Sequence, residues 1–107
     1  MGQHRTMTEQ IEILSLGEHA YRVTLRNGNT TTRHHVVVPS ALTTDLGLGP
    51  DDDQRLVRSS FEFLLEREEA TSILERFDLD VIGRYFPEYV STVRLRLGPP
   101  ANRRSSG

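Results

Sequence analysis

The side chains of this chain best suited to binding chemistry are its arginines. All 13 basic residues of the 107 are Arg, and none is Lys. A guanidinium group carries a planar fork of donors that matches phosphate and carboxylate oxygens, so the placement of the Arg residues matters. Arg22, Arg26 and Arg33 fall at alternating strand positions beside Thr24, Thr31 and His35. Together they form one polar sheet face able to offer guanidinium, hydroxyl and imidazole donors. Arg94 and Arg96, followed by Arg103 and Arg104, form a second basic group near the C-terminus that is able to contact phosphates.

Other reactive combinations are weaker. The pair His34-His35 suggests a metal site, but adjacent strand residues point to opposite faces and cannot share one ion in a regular strand. The expected arrangement is a solvated His35 and a half-buried, hydrogen-bonded His34, with His4 and His19 isolated on the surface. The chain holds no Cys, which removes thiolate nucleophiles, thiolate metal ligands and disulfides. No Ser sits in a nucleophile-elbow motif, and no glycine-rich run lies between a strand and a helix. Glu62, Glu66 and Glu69 fall on the solvated arc of a helix, while Asp78 and Asp80 read as a cap and a first-turn acid. No catalytic residue, cofactor or metal is therefore expected.

The basic face depends on its strands. Tyr21, Val23 and Leu25 alternate with Arg22, Thr24 and Arg26, the period of a half-buried strand. Asn27-Gly28-Asn29 supplies a tight turn, and the β-branched run from Thr30 to Val38 is the return strand. A two-residue loop sets Thr32, His34, Val36 and Val38 beside Tyr21, Val23 and Leu25 on the core face. A three-residue loop would bury Arg33 instead, which is costly. Ile11 to Leu16, linked through Gly17-Glu18, is predicted as a third strand.

The second half reads as helical. Ser40 is placed to cap a short helix that Gly47 ends in a left-handed conformation. A long helix is predicted over about residues 51–69, with Asp51-Asp52-Asp53 at its positive end. At about 100° per residue, Phe63, Leu56, Ser60, Leu64, Val57, Phe61 and Leu65 span an arc of about 200°. Such width calls for two partners, a sheet on one side and further helices on the other, or else a second copy of the chain. Ser72 and Glu75 match a capping box opening a short helix that ends near Phe77. Asp78 is placed to cap a further helix burying Leu79, Ile82 and Phe86. Pro87 then starts a last helix to Leu97, although Val93, Leu95 and Leu97 also alternate as a strand would.

The expected fold class is thus α+β: a three-stranded antiparallel meander, then a helical half with one central long helix and two or three short ones. Residues 9–97 are expected to form one domain, between a disordered stretch 1–8 and a disordered basic tail 98–107. Composition fits a soluble globular protein, at 36% hydrophobic and 26% charged residues. No run is long and apolar enough to span a membrane, and no signal peptide is evident at the start. Charge is segregated. Residues 1–40 carry +1, residues 41–90 carry −7 from five Arg and twelve acids, and residues 91–107 carry +4.

The segments FLLERE, SIL, RFDLDVI and RYFPEY, preceded by Thr32, His34, Val36, Val38 and Pro39 in a TxHxVxVP-like stretch, resemble a group of small uncharacterised bacterial proteins. The resemblance covers most of residues 20–97. It implies a bacterial, cytoplasmic setting and carries over no activity and no catalytic residue. The last element departs from the group, because Val93 to Leu97 stands where a more polar helical end is expected. The expected function is a small non-enzymatic protein-interaction or accessory module with a protein partner or a second copy of itself. The first strand's edge is open to another strand in that role. The alternative is a nucleic-acid binder. The candidate surface for a partner or for nucleic acid is Arg22, Thr24, Arg26, Arg33, His35, Arg94 and Arg96.

Overall fold

Apolar alternation in the first half and a wide apolar arc in the second meet as a sheet covered on one face by helices. The computed structural model describes residues 9–97; the stretches 1–8 and 98–107, including Arg103 and Arg104, lie outside them. Strands β1 (Glu9–Gly17), β2 (Ala20–Asn27) and β3 (Thr30–Val37) form the antiparallel meander. The chain continues through helices α1 (Ser40–Leu46) and α2 (Asp53–Leu65), strand β4 (Arg76–Asp78), and helices α3 (Val81–Tyr85) and α4 (Tyr89–Leu97). The sheet has the order β1-β2-β3-β4, and β4 runs parallel to β3. The architecture is α+β with a mixed four-stranded sheet.

The hairpin follows the two-residue loop. Asn27 pairs with Thr30, which sets Leu25 opposite Thr32, Val23 opposite His34 and Tyr21 opposite Val36. Gly28 takes the positive φ of 61° that this turn requires. His34 is more deeply buried than half-buried, at 3% exposed. Its Nδ1–H donates to the Leu74 carbonyl at 2.7 Å, and its Nε2 accepts from the Thr32 hydroxyl at 2.9 Å. This is a neutral imidazole with both nitrogens satisfied, packed 5.5 Å from the Phe61 ring.

Helix α2 has the predicted two partners. Phe61 points to the sheet side, where it meets His34 and Phe77. Phe63, on the other edge of the arc, meets Phe86 and Tyr89 at 5.8 and 5.3 Å. Both are fully buried, so the surplus apolar face is covered within the chain. The buried Ser60 hydroxyl donates to the Leu56 carbonyl at 2.7 Å, which leaves its oxygen to accept from Tyr89 Oη–H at 2.6 Å. Ser59 is also buried.

Four local expectations are corrected. The long helix is shorter than 51–69, with a 3₁₀ turn at Pro50–Asp52 before it and its end at Leu65. One further turn would carry Arg67 and Glu68 around into the apolar arc, and burying two charges costs more than a helical turn contributes. Ser40 is the first helical residue of α1, behind Pro39, and supplies no side-chain cap. The Ser72–Glu75 capping box opens no helix. Ala70–Ser72 is a 3₁₀ turn, Ile73 is extended, and residues 76–78 are β4. The open edge of β3 decides this: His35 N–H donates to the Glu75 carbonyl at 2.7 Å and Leu79 N–H to the Val37 carbonyl at 3.0 Å. Asp78 accordingly lies in β4 and is not a helix cap, while Leu79 and Ile82 are buried as expected. The last element is a helix; Leu95 is 82% exposed, where a strand reading would bury it.

Two predictions follow from the buried polar groups. Ser60→Ala orphans the Tyr89 phenol and should cost about 1–3 kcal/mol, while Tyr89→Phe leaves every donor satisfied and should cost about 1 kcal/mol, both read from urea unfolding. Burial holds the His34 imidazole below its ordinary pKa. As the pH falls the unfolded chain takes up this proton first, so the stability present above about pH 6.5 is lost below it. The cost of His34→Gln should therefore be smaller at about pH 5 than at about pH 7.5, and an equal cost would contradict this.

Candidate functional site

The helices lie on one face of the sheet and leave the other uncovered. Because β-strand side chains alternate, the residues flanking the buried Tyr21, Val23, Leu25, His34 and Val36 all project onto that outer face. Arg22, Thr24, Arg26, Arg33 and His35 are thereby brought together, as the sequence indicates. Thr24 is half-buried there and the other four are exposed.

The register sharpens the grouping. Arg22 sits directly opposite His35 on β3, and His35 sits opposite Arg76 on β4. Arg33 lies two residues along β3 on the same face, opposite Thr24. His35 is thus surrounded by three guanidinium groups from three strands. Neighbouring strands are about 4.8 Å apart, so Arg22 and Arg76 stand two strand spacings apart across β3, with Arg33 diagonal to both, close enough for the like charges to repel. The side chains of Arg22, Arg33 and Arg76 make no hydrogen bond or ion pair with the described residues. Arg26 differs, because it forms an ion pair with Glu12 on β1. The acids on this face among the described residues are Glu12 and Asp78.

Arg94 and Arg96 do not join this surface. Both lie on α4, which packs on α2 through Tyr89 and Val93 on the helical side of the sheet. Arg94 donates to the Asp45 carbonyl at 3.0 Å, and Arg96 contacts both Glu66 carboxylate oxygens at 2.6 and 2.7 Å. They hold helices together. Arg76 is the residue that the sequence reading misses, because its place on the face depends on β4, which the capping-box pattern conceals.

His19 is likewise not isolated. It occupies the β1–β2 turn, where Gly17, Glu18 and His19 take φ values of 93°, 50° and 65°. Its Nδ1–H donates to Asp53 Oδ2 at 2.7 Å, and the Tyr21 hydroxyl donates to the same oxygen at 3.1 Å. Asp53 is only 2% exposed, and its Oδ1 is buried without a hydrogen-bond partner. Burial, then the adjacent Asp53 carboxylate, raises the Tyr21 phenol pKa. A signal for Asp53 exists in the sequence: at 100° per residue it falls inside the apolar arc of α2, between Ser60 and Leu64. The cluster pins the first hairpin to the start of α2, across a turn in which two non-glycine residues sit in the left-handed region.

An open groove of about 470 Å³ lies on the helical side, floored by Ile73, Phe77, Ile82 and Phe86. Leu74 and Tyr85 flank it at 49% and 68% exposed. Arg67 on its rim lies 3.7 Å over the Phe63 ring and pairs with Glu88. The groove lining is chiefly apolar, with no nucleophile–base pair. Among the described residues, no three His, Asp or Glu side chains are placed to hold a metal ion, and His34 and His35 face opposite sides of the sheet. Among the described residues, no helix is long and apolar enough to cross a membrane.

Comparison with protein-family models, with curated proteins and with solved structures finds no match to this chain.

Tyr21→Phe removes one of the two donors to the buried Asp53 carboxylate. It should lower stability by about 1.5–3 kcal/mol in urea unfolding, the range for hydrogen bonds to charged groups.

Proposed function

We propose that the chain is a small non-enzymatic binding module that docks an anionic partner on the outer face of its sheet. One observation carries this reading: Arg22, Arg33 and Arg76 neighbour His35 in the sheet register without an ion pair to any described residue, although the chain holds 15 acidic residues. A sheet that only needed a solvated face would gain by interspersing these charges with acids. The chiefly apolar lining of the groove further supports binding over catalysis.

The partner is an acidic protein or a nucleic acid. A second copy of the chain belongs to the first class, since residues 41–90 carry a net −7. The module is proposed to work in the cytoplasm, in keeping with its lack of Cys and its resemblance to small bacterial proteins.

Heparin chromatography tests the reading. The wild-type chain should be retained at low salt despite its net charge of −2. The double reversal Arg22→Glu, Arg33→Glu should abolish retention with the circular dichroism spectrum unchanged, both residues being exposed. Unchanged retention would end the proposal. Light scattering of the wild type separates self-association, which raises the mass with concentration, from a foreign partner.

A further inference from the structure

Resting on that reading of the outer face, we infer that the partner is duplex nucleic acid, held through its phosphates by Arg22, Arg33 and Arg76 around His35. The chemistry of the face selects this occupant. No Phe, Tyr or Trp lies on it among the described residues: its positions include Gln10, Glu12, Leu14, Ala20, the residues already named on β2 and β3, Val37, Arg76 and Asp78. Single strands are gripped by aromatic platforms on which bases stack, and this face offers none. Protein interfaces bury cores rich in aromatic residues and poor in charge, whereas the Arg22, Arg33, His35 and Arg76 group is cationic and holds no aromatic residue other than the imidazole. What the face does offer is a set of donors directed to one side: three guanidinium forks, the imidazole of His35, and the hydroxyls of Thr24 and Thr31. Such a set suits phosphate oxygens, which position a duplex without reading its sequence.

The charge distribution favours the same orientation. Arg26 is neutralised by Glu12 on the β1 side of the face, which leaves the cations without an ion pair among the described residues on the central strands β2 and β3 and on the β4 edge, where Asp78 lies two residues from Arg76. The twelve acids of residues 41–90 belong mainly to the helical half, so a polyanion approaching from that side is repelled. Because the reactive groups come from β2, β3 and β4, the site exists only once β4 has joined the sheet.

The test is fluorescence anisotropy with a labelled, mixed-sequence DNA duplex over about 50–200 mM salt, where affinity reports phosphate neutralisation. Three phosphate contacts predict a slope of log K against log salt of about −3, from about −0.9 per contact. Arg76→Ala should weaken binding several-fold and reduce the slope by about 1, and Arg76→Lys should restore the slope. Arg84→Ala makes the same change in net charge at an exposed position of α3 and should alter neither. Tighter binding of the single strand than of the duplex, or equal effects of Arg76→Ala and Arg84→Ala, would overturn the inference. Loss of heparin retention on reversing Arg22 and Arg33, combined with no duplex binding, would leave the anionic-partner reading standing and refute nucleic acid as the partner. Heparin retention indifferent to those reversals would remove both.

Discussion

The fold depends on helix α2 being buried on two sides at once. Phe61 and Phe63 stand roughly 160° apart around its axis and serve different partners. Phe61 meets His34 and Phe77 on the sheet, and Phe63 meets Phe86 from the α3–α4 connection and Tyr89 from α4. Neither the sheet nor the short helices have enough apolar area to be stable alone, since five- to nine-residue helices are marginal in isolation. Each is held because it covers one side of the same cylinder. The outer face of the sheet is left bare as a consequence, because every helix is drawn to the side where α2 lies.

Polar groups trapped in this arrangement are satisfied in ways that also orient the elements. His34 joins β3 to the segment before β4 through Leu74, and Tyr89 joins α4 to α2 through Ser60. Asp53 collects His19 and Tyr21 and so fixes the first hairpin against the start of α2. Each bond crosses between segments far apart in the chain, so the polar contacts specify how already favourable apolar surfaces are aligned. The left-handed Glu18 and His19 show that this alignment is strong enough to hold the β1–β2 turn in a conformation its residues disfavour.

The same constraints separate structural cations from available ones. Arg67, Arg94 and Arg96 are engaged with carboxylates, carbonyls or an aromatic ring on the helical side, where they help close the bundle. Arg22, Arg33 and Arg76 are on the side with no helix and few acids. A chain whose cations are all Arg can use the same guanidinium fork for both purposes, and only the position in the fold distinguishes them.

Much of this was legible in the sequence. Period-two alternation, the Asn27-Gly28-Asn29 turn and the cost of burying Arg33 determined the hairpin register, and with it the residues sharing the outer face. The width of the apolar arc determined that α2 needs two partners, because the spacing of Phe61 and Phe63 on a helix is local geometry. Strand β4 was not legible: its Ser72–Glu75 pattern favours a helix locally, and only the open edge of β3 and a place for Phe77 beside Phe61 make the extended form better. Arg76 therefore joined the basic face, and Arg94 and Arg96 left it, through tertiary structure alone. The sequence by itself determined which side chains alternate and which arcs must be buried, since these depend on neighbours in the chain. Which cations stand together and which acids stay out of their reach was decided by contacts between distant segments, which exist only in the folded chain.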